Sequence, residues 1–237
     1  MQNESTYRTF TIEEEIIHHL MLQTASIKRN GLLYGKLGIA LAFFECSKEW
    51  NNPIYDNFAK ELKNTIYKKI DNNSPLDFAT GLCGVGWGIE YLMEHQLTET
   101  DKEVCATIDH KIMMLNMQKI TNFSLENGLE GYLHYILIRI KGSIMRKSYN
   151  PFDESYLTDI YSRLQFIGET NISSSLKHAL ISYMNTGLLI YNPNVAMFAN
   201  SIEIKNIDDV LFAKLGLANG LAGKLLYIIN EQKIFQS

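Results

Sequence analysis

The sequence has few cysteines, no excess of basic residues and no long hydrophobic run. Its 22 basic and 26 acidic residues give a formal net charge of −4, so we expect no nucleic-acid partner. Because no stretch of about 18 consecutive apolar residues occurs, no transmembrane segment is expected. The first residues are polar and lack the apolar core of a signal peptide, and the three cysteines lack paired spacing. Together these absences predict a cytoplasmic protein without disulfides.

What the sequence does contain is a short glycine signature, Gly-x-x-Gly, repeated at a nearly constant interval. Its copies begin at residues 35, 81, 128 and 220, so that successive copies are 46, 47 and 92 residues apart. Since 92 is twice 46, a degenerate copy is expected near residue 174, where Leu176 keeps the leucine position and both glycines are lost. Such a period indicates a repeat architecture, in which each unit buries its apolar face against the next. We therefore expect one domain over residues 1–237.

Helical patterns fill the intervals between the signatures. Residues 54–70 place their apolar side chains on one stripe, which is typical of a half-exposed helix. Residues 39–44 and 132–138, which follow signatures, are apolar nearly all round and predict buried helices. Capping boxes at 11–14 and 100–103 mark the starts of two outer helices. The sequence thus predicts an all-α protein of about five pairs, each with an outer helix, a glycine turn and an inner helix.

The glycines favour closure of these pairs into an α/α toroid over an open solenoid. Glycine permits unusual backbone angles and close chain approach where each inner helix begins. In a toroid all of these turns, with their free amide donors, would surround one central depression. An open solenoid would not bring the turns together in this way.

The repeats resemble those of the lanthionine synthetase C-like (LanC-like) family. Residues 77–86, Asp-Phe-Ala-Thr-Gly-Leu-Cys-Gly-Val-Gly, are similar to the family's Asp-x-x-Ser-Gly-x-x-Gly-Ile-Gly stretch, and residues 35–41 and 218–223 resemble its other turns. The resemblance implies an α/α toroid, usually of seven helix pairs and here shortened to about five. It also implies a zinc enzyme of lanthionine synthetase type, which activates a peptide cysteine as thiolate and closes a thioether ring. A precursor peptide and other peptide-modifying enzymes would then be the partners.

The zinc ligands implied by this resemblance are missing from the matching positions. Where the family's last turn carries a Cys-His pair, this sequence has Ala218 and Asn219, and the turn before has Ser173 in the cysteine position. Cys83 lies two residues after Gly81, outside the ligand position. Because a catalytic zinc needs three Cys, His or carboxylate ligands, we expect no family-type zinc site and no other cofactor.

Two residues are candidates for catalysis, Asp77 and His134. Asp77 matches an acidic residue of the family's catalytic cavity and could transfer protons, or it could accept backbone amides of its own turn. His134 lies four residues after Glu130 and could form an acid–base or metal pair with it, or it could be a hydrogen-bonded core histidine. Cys83 is either a thiol activated at a helix N-terminus or a small buried residue.

Four polar side chains share the position before the first glycine of each clear turn. In a closed ring they would line the mouth, together with Cys83, Glu126 and Glu130, and hydrogen-bond to a peptide or a sugar. Alternatively, they cap the inner helices. The four are Tyr34, Thr80, Asn127 and Asn219.

Three functions follow as alternatives. The chain could handle a ribosomal peptide in its central cavity, either as an accessory binder or as a cyclase that works without the family's zinc. It could instead be a carbohydrate-active toroid, a glycosidase or epimerase that uses Asp77, Glu126 and Glu130. The third alternative is a non-catalytic interaction protein whose mouth is filled by its own side chains.

Overall fold

Ten α-helices and three short 3₁₀ helices form the part of the chain that the computed structural model describes, residues 10–70, 74–95, 102–168, 171–200 and 202–236. No strand occurs in these ranges, so the predicted all-α class is confirmed there. The α-helices are α1 Ile12–Gln23, α2 Lys36–Trp50, α3 Pro53–Tyr67, α4 Leu82–Glu94, α5 Lys102–Met113, α6 Leu129–Met145, α7 Glu154–Phe166, α8 Ser174–Thr186, α9 Ile207–Phe212 and α10 Leu221–Gln236. The 3₁₀ helices are Thr24–Ser26, Met117–Lys119 and Val195–Phe198.

The helices that follow the glycine signatures are the buried ones, as their hydrophobic pattern predicts. Residues 36–44 of α2 and 82–92 of α4 are buried without interruption. By contrast, α3 buries one stripe, made of Ala59, Leu62 and Ile66, and exposes its charged side. The difference follows from composition, because a helix that is apolar on every side must be covered on every side.

The buried helices pack on one another in a defined order. Helix α2 packs against α10 on one side and α4 on the other, α4 packs against α6, and α6 packs against α8. The first helix, α1, packs against α9 and α10, so the two ends of the chain meet. The 3₁₀ helix Val195–Phe198, which lies between α8 and α10 in the chain, packs against α2 and α10.

Close approach, and not unusual backbone angles, explains the signature glycines. A Cβ atom on Gly84 would lie 2.0 Å from the carbonyl oxygen of Phe78, and one on Gly81 would lie 2.2 Å from that of Pro75. The φ angles of Gly35, Gly81 and Gly128 are all negative, from −108° to −129°. The expectation of unusual angles at these turns is therefore wrong, since any residue adopts such values and only the missing Cβ matters.

The predicted start signals are found where they can be checked. Thr11 and Glu14 form the capping box that opens α1, while Thr100 and Asp101 of the second predicted box lie outside the described residues. The degenerate repeat also yields a helix, since α8 begins at Ser174 and buries Leu176. In the described ranges, no helix combines the length and apolarity that a membrane crossing requires.

Candidate functional site

Each of the four glycine turns closes on itself by the same hydrogen bond. The amide after the first glycine donates to the carbonyl seven residues earlier, at 2.8–3.0 Å. The four bonds run from Lys36 to Arg29, Leu82 to Pro75, Leu129 to Asn122 and Leu221 to Lys214. These first amides of the inner helices were expected to be free donors at the mouth. That expectation is wrong, because each of these amides is hydrogen-bonded to a carbonyl of its own turn.

The turns are also hydrogen-bonded to one another through their backbones. The amide of Ala218 donates to Leu33 at 3.0 Å, the amide of Leu33 donates to Ala79 at 2.9 Å, and Ala79 donates to Glu126 at 2.9 Å. The turns therefore form one continuous row in the order fourth, first, second, third. The C-terminal repeat is thus the direct neighbour of the N-terminal one.

A second set of glycines makes this row possible, and the sequence analysis missed it. A Cβ on Gly31 would lie 2.2 Å from Cα of Thr80 in the next turn, and one on Gly216 would lie 2.7 Å from the carbonyl oxygen of Leu33. Both glycines precede the first signature glycine of their turn by four residues. That shared position was the available signal, and it marks two places where a Cβ would collide with the backbone of the next turn.

The row of turns carries a groove, which we call the turn groove. It consists of two adjoining depressions of ≈310 Å³ and ≈410 Å³ that share Arg29 and Tyr34, and each has the size of a small-ligand site. The smaller depression is lined by Arg29, Tyr34, Asp77, Ala79, Thr80, Glu126 and Asn127. The larger one is lined by Ile27, Arg29, Tyr34, Lys214, Leu215 and Gly216.

The four polar side chains that precede the glycines are only partly brought together. Tyr34, Thr80 and Asn127 line the smaller depression, whereas Asn219 hydrogen-bonds with Asn200 at 3.1 Å and has a left-handed φ of 53°. The N-cap positions of α2, α4 and α6 are the glycines themselves, and no side chain caps these helices. The alternative prediction that Thr80 and Asn127 cap the inner helices is therefore wrong.

Asp77 and Glu126 both line the smaller depression, and each already has a hydrogen-bond partner. Oδ1 of Asp77 accepts from the backbone amide of Thr80 at 2.7 Å and from its hydroxyl at 3.2 Å. The carboxylate of Glu126 accepts from the hydroxyl of Tyr34, which joins the third turn to the first. This hydrogen bond, with burial, raises the pKa of Tyr34, so the phenol stays protonated.

Glu130 and His134 are not bonded to each other within the described residues. Burial raises the pKa of Glu130, and the backbone of Ser173 opposes that rise. His134 is buried, and its Nδ1 lies 2.9 Å from the hydroxyl of Tyr191. Burial lowers the pKa of His134 to about 3, so its imidazole is neutral at physiological pH. The prediction of a hydrogen-bonded core histidine describes His134 correctly.

Two side chains of the segment between α8 and α10 fill the space between the buried helices, and we call Tyr191 and Phe198 the interior plug. The indole of Trp87 donates to the hydroxyl of Tyr191 at 2.9 Å. The ring of Phe198 lies 5.2 Å from that of Phe78, 4.9 Å from that of Trp87 and 5.0 Å from that of His134. The chain's own side chains therefore fill the space between these buried helices, and neither Tyr191 nor Phe198 lines the turn groove.

The residues present do not fit the zinc site of the LanC-like family. Cys83 is fully buried, and burial raises the pKa of its thiol well above the usual value, which opposes thiolate formation. Neither Cys83 nor His134 lines the turn groove, while Asp77 does. Within the described ranges, no three His, Cys, Asp or Glu side chains converge as metal ligands would.

A buried ionic cluster on α4, α5 and α6 is the second polar feature of the interior. Arg139 pairs with Glu90 and Asp109, and Arg146 pairs with Glu90 at 2.7 Å. A Cβ on Gly142 would lie 2.2 Å from Oε2 of Glu90, so this glycine makes room for the pair. The sequence signal was Glu90, a charge within the otherwise apolar residues 82–93 of α4.

Comparison with known proteins gives no relative: no family model, no curated protein and no solved structure matches this chain. The function therefore has to be inferred from the row of turns, the groove and the filled interior.

Proposed function

We propose that this protein is a LanC-like α/α toroid that binds a peptide segment in the turn groove, within a ribosomal-peptide modification pathway. The packing order α10, α2, α4, α6, α8 supports a ring, and so does the contact between α1 and α10. The backbone row that joins the fourth turn to the first supports the same arrangement. In an open solenoid the terminal repeats would not be neighbours.

The turn groove carries the functional part of the proposal. Three successive turns contribute side chains to one depression, with a phenol, a hydroxyl, an amide and two carboxylates among them. An extended peptide offers backbone donors and acceptors at regular intervals, and a groove with several separate polar groups suits it better than a compact ligand. The bound peptide would be a precursor peptide, and the other enzymes that modify it would be further partners.

We propose binding without the family's zinc-dependent cyclisation. That chemistry needs a metal-bound thiolate, and the ligand positions of the last turn hold Ala218 and Asn219. The only cysteine of a glycine signature, Cys83, is fully buried and belongs to the apolar core. The free, buried state of all three cysteines in the structure supports a reducing, cytoplasmic location.

The carbohydrate-active alternative is less well supported. A glycosidase needs one carboxylic acid and one carboxylate that face each other across a cleft. Asp77 is used by its own turn, and Glu126 is used by Tyr34. Glu130, the carboxyl whose pKa is raised by burial, is not among the residues that line the groove. These engagements favour a binding site over a hydrolytic one.

A selection from a random heptapeptide display library on the immobilised full chain tests the proposal. Glu126→Trp should fill the groove, since the side chain is exposed and the backbone bonds of Glu126 to the second turn are kept; its hydrogen bond with Tyr34 is lost. Glu154→Trp, at an exposed position on α7, is the matched control. We expect selected peptides to lose binding to Glu126→Trp and to keep it with Glu154→Trp. Peptides that bind both variants equally, or one tightly bound zinc per chain in a metal analysis, would contradict the proposal.

A further inference from the structure

The charges of the turn groove are divided between its two ends. Lys214 lines only the larger depression, while Asp77 and Glu126 line only the smaller one. Arg29 lies at the boundary and lines both. One end of the groove is therefore basic and the other acidic, although the whole chain has a net charge of only −4.

These charges are not neutralised by one another. Within the described part of the chain, no ion pair of 4 Å or less joins Arg29 or Lys214 to a carboxylate, nor Asp77 or Glu126 to a cation. Other charges of this protein do pair at such distances, for example Lys141 with Glu94 at 2.7 Å. Charged groups that line a depression and stay unpaired are available to a ligand of complementary charge.

Tyr34 lies between the two ends and limits access to the acidic one. Its ring lines both depressions, and its hydroxyl donates to Glu126. A basic group that enters the acidic end must compete with this hydrogen bond for the carboxylate of Glu126. Tyr34 therefore sets the affinity for the cationic part of a ligand through its hydrogen bond to Glu126.

We propose that the turn groove selects a dipolar peptide, with an acidic residue bound by Arg29 and Lys214 and a basic residue bound by Asp77 and Glu126. This selectivity rests on the proposed function, because it presumes that a peptide occupies the groove. Beyond the proposed function, it specifies the charge pattern of the bound peptide. A peptide that carries one sign of charge at both ends places like charges together at one end of the groove and binds more weakly.

Fluorescence anisotropy with three heptapeptide probes tests the charge pattern. Each probe has blocked termini and a serine–glycine centre: one has two glutamates at one end and two lysines at the other, one has lysines at both ends, and one has glutamates at both. The dipolar probe is made in both sequence orders, because the two depressions do not determine which end of the bound peptide is its N-terminus. We expect the wild type to prefer a dipolar probe over each single-sign probe by about tenfold at low salt.

Charge-reversal variants make the test specific. Arg29→Glu with Lys214→Glu should lose this preference and bind the all-lysine probe best, and Glu126→Lys should bind the all-glutamate probe best. Lys119→Glu with Lys147→Glu changes the net charge of the chain as much as the first pair does, at exposed positions outside the groove. This control should keep the wild-type preference. Tyr34→Phe should bind the dipolar probe a few fold more tightly, because Glu126 is released.

The outcomes separate this inference from the function on which it rests. If library-selected peptides bind the groove but the reversals do not switch the preference, the charge pattern is overturned and peptide binding stands. The same conclusion follows if no designed probe binds at about 1 mM while library-selected peptides do. If no peptide of either kind binds the wild type, both proposals fall.

Discussion

The hydroxyl of Tyr191 lies 2.9 Å from Nδ1 of His134, although 57 residues separate the two in the chain. The same hydroxyl receives the indole N–H of Trp87. Because an indole N–H can only donate, the oxygen of Tyr191 accepts from Trp87, and the same hydroxyl forms a second hydrogen bond with Nδ1 of the neutral His134. One hydroxyl thus connects α4, α6 and the segment between α8 and α10, which holds the interior plug in place.

Replacing Tyr191 with phenylalanine should destabilise the protein by about 1–3 kcal/mol. The change removes no ring volume but leaves the indole of Trp87 and the Nδ1 atom of His134 buried without this partner. Urea unfolding followed by circular dichroism measures the difference. Tyr149→Phe, at a side chain that is 98% exposed, is the control and should change little. Equal stability of the two variants would show that Tyr191 does not link the helices.

The neutral state of His134 predicts a specific pH dependence of stability. Its pKa is about 3 in the folded protein and near 6.5 when unfolded, so the unfolded state binds more protons between these values. The free energy of unfolding should therefore fall as pH falls from about 6.5, by up to about 1.4 kcal/mol per unit from this group. His134→Gln removes this titration, so the difference in free energy of unfolding between wild type and variant should become smaller as the pH is lowered toward about 4.5. Parallel pH profiles would refute the assignment.

Phe198→Ala should open a cavity between the buried helices. The ring contacts Phe78, Trp87 and His134, so its loss should cost about 3–5 kcal/mol. Phe166→Ala removes a ring that is 85% exposed and should cost much less. Calorimetry of both variants tests this, and a small apolar ligand such as benzene should raise the melting temperature of the Phe198 variant alone. Similar melting temperatures for the two variants would show that the interior is not filled by Phe198.

Gly84→Ala should destabilise the protein by more than about 1 kcal/mol, although alanine is the better helix former. The new Cβ would lie 2.0 Å from the carbonyl oxygen of Phe78, which is backbone and cannot move away without breaking the turn. Asn64→Ala, at an exposed position of α3, should instead stabilise by a few tenths of a kcal/mol. Chemical denaturation measures the change in free energy of unfolding for each variant. The two changes should have opposite signs if close packing requires glycine in the signature, and the same sign if helix propensity alone sets the stability.

The helices and their burial could be predicted because they depend on local pattern. The apolar stretches that follow the signatures required cover on all sides, and α2, α4 and α6 are indeed buried. The degenerate repeat was located from the period alone, and α8 begins at Ser174. In hindsight, Gly31 and Gly216 also indicate that the turns lie against one another, since each lies four residues before the first glycine of a signature.

The interior could not be predicted, because its contacts join residues that are distant in the chain. Nothing in the local sequence of residues 192–206 shows that Phe198 packs against Phe78 and Trp87. The partners of Glu90 likewise lie on α6 and directly after its end, 49 and 56 residues away. Site prediction failed for the same reason: Glu130 and His134 are close in sequence, but His134 is hydrogen-bonded to Tyr191, 57 residues away.

Amide hydrogen exchange of the full chain, with and without a library-selected peptide, tests the central claim most directly. A peptide bound in the turn groove should slow exchange in residues 29–34, 77–80, 126–127 and 214–216, which line it or form its floor. Exchange in residues 191–198 should stay unchanged, because the interior plug remains in place. Faster exchange at 191–198 on binding, with no protection of the turns, would place the peptide in the interior and contradict this account.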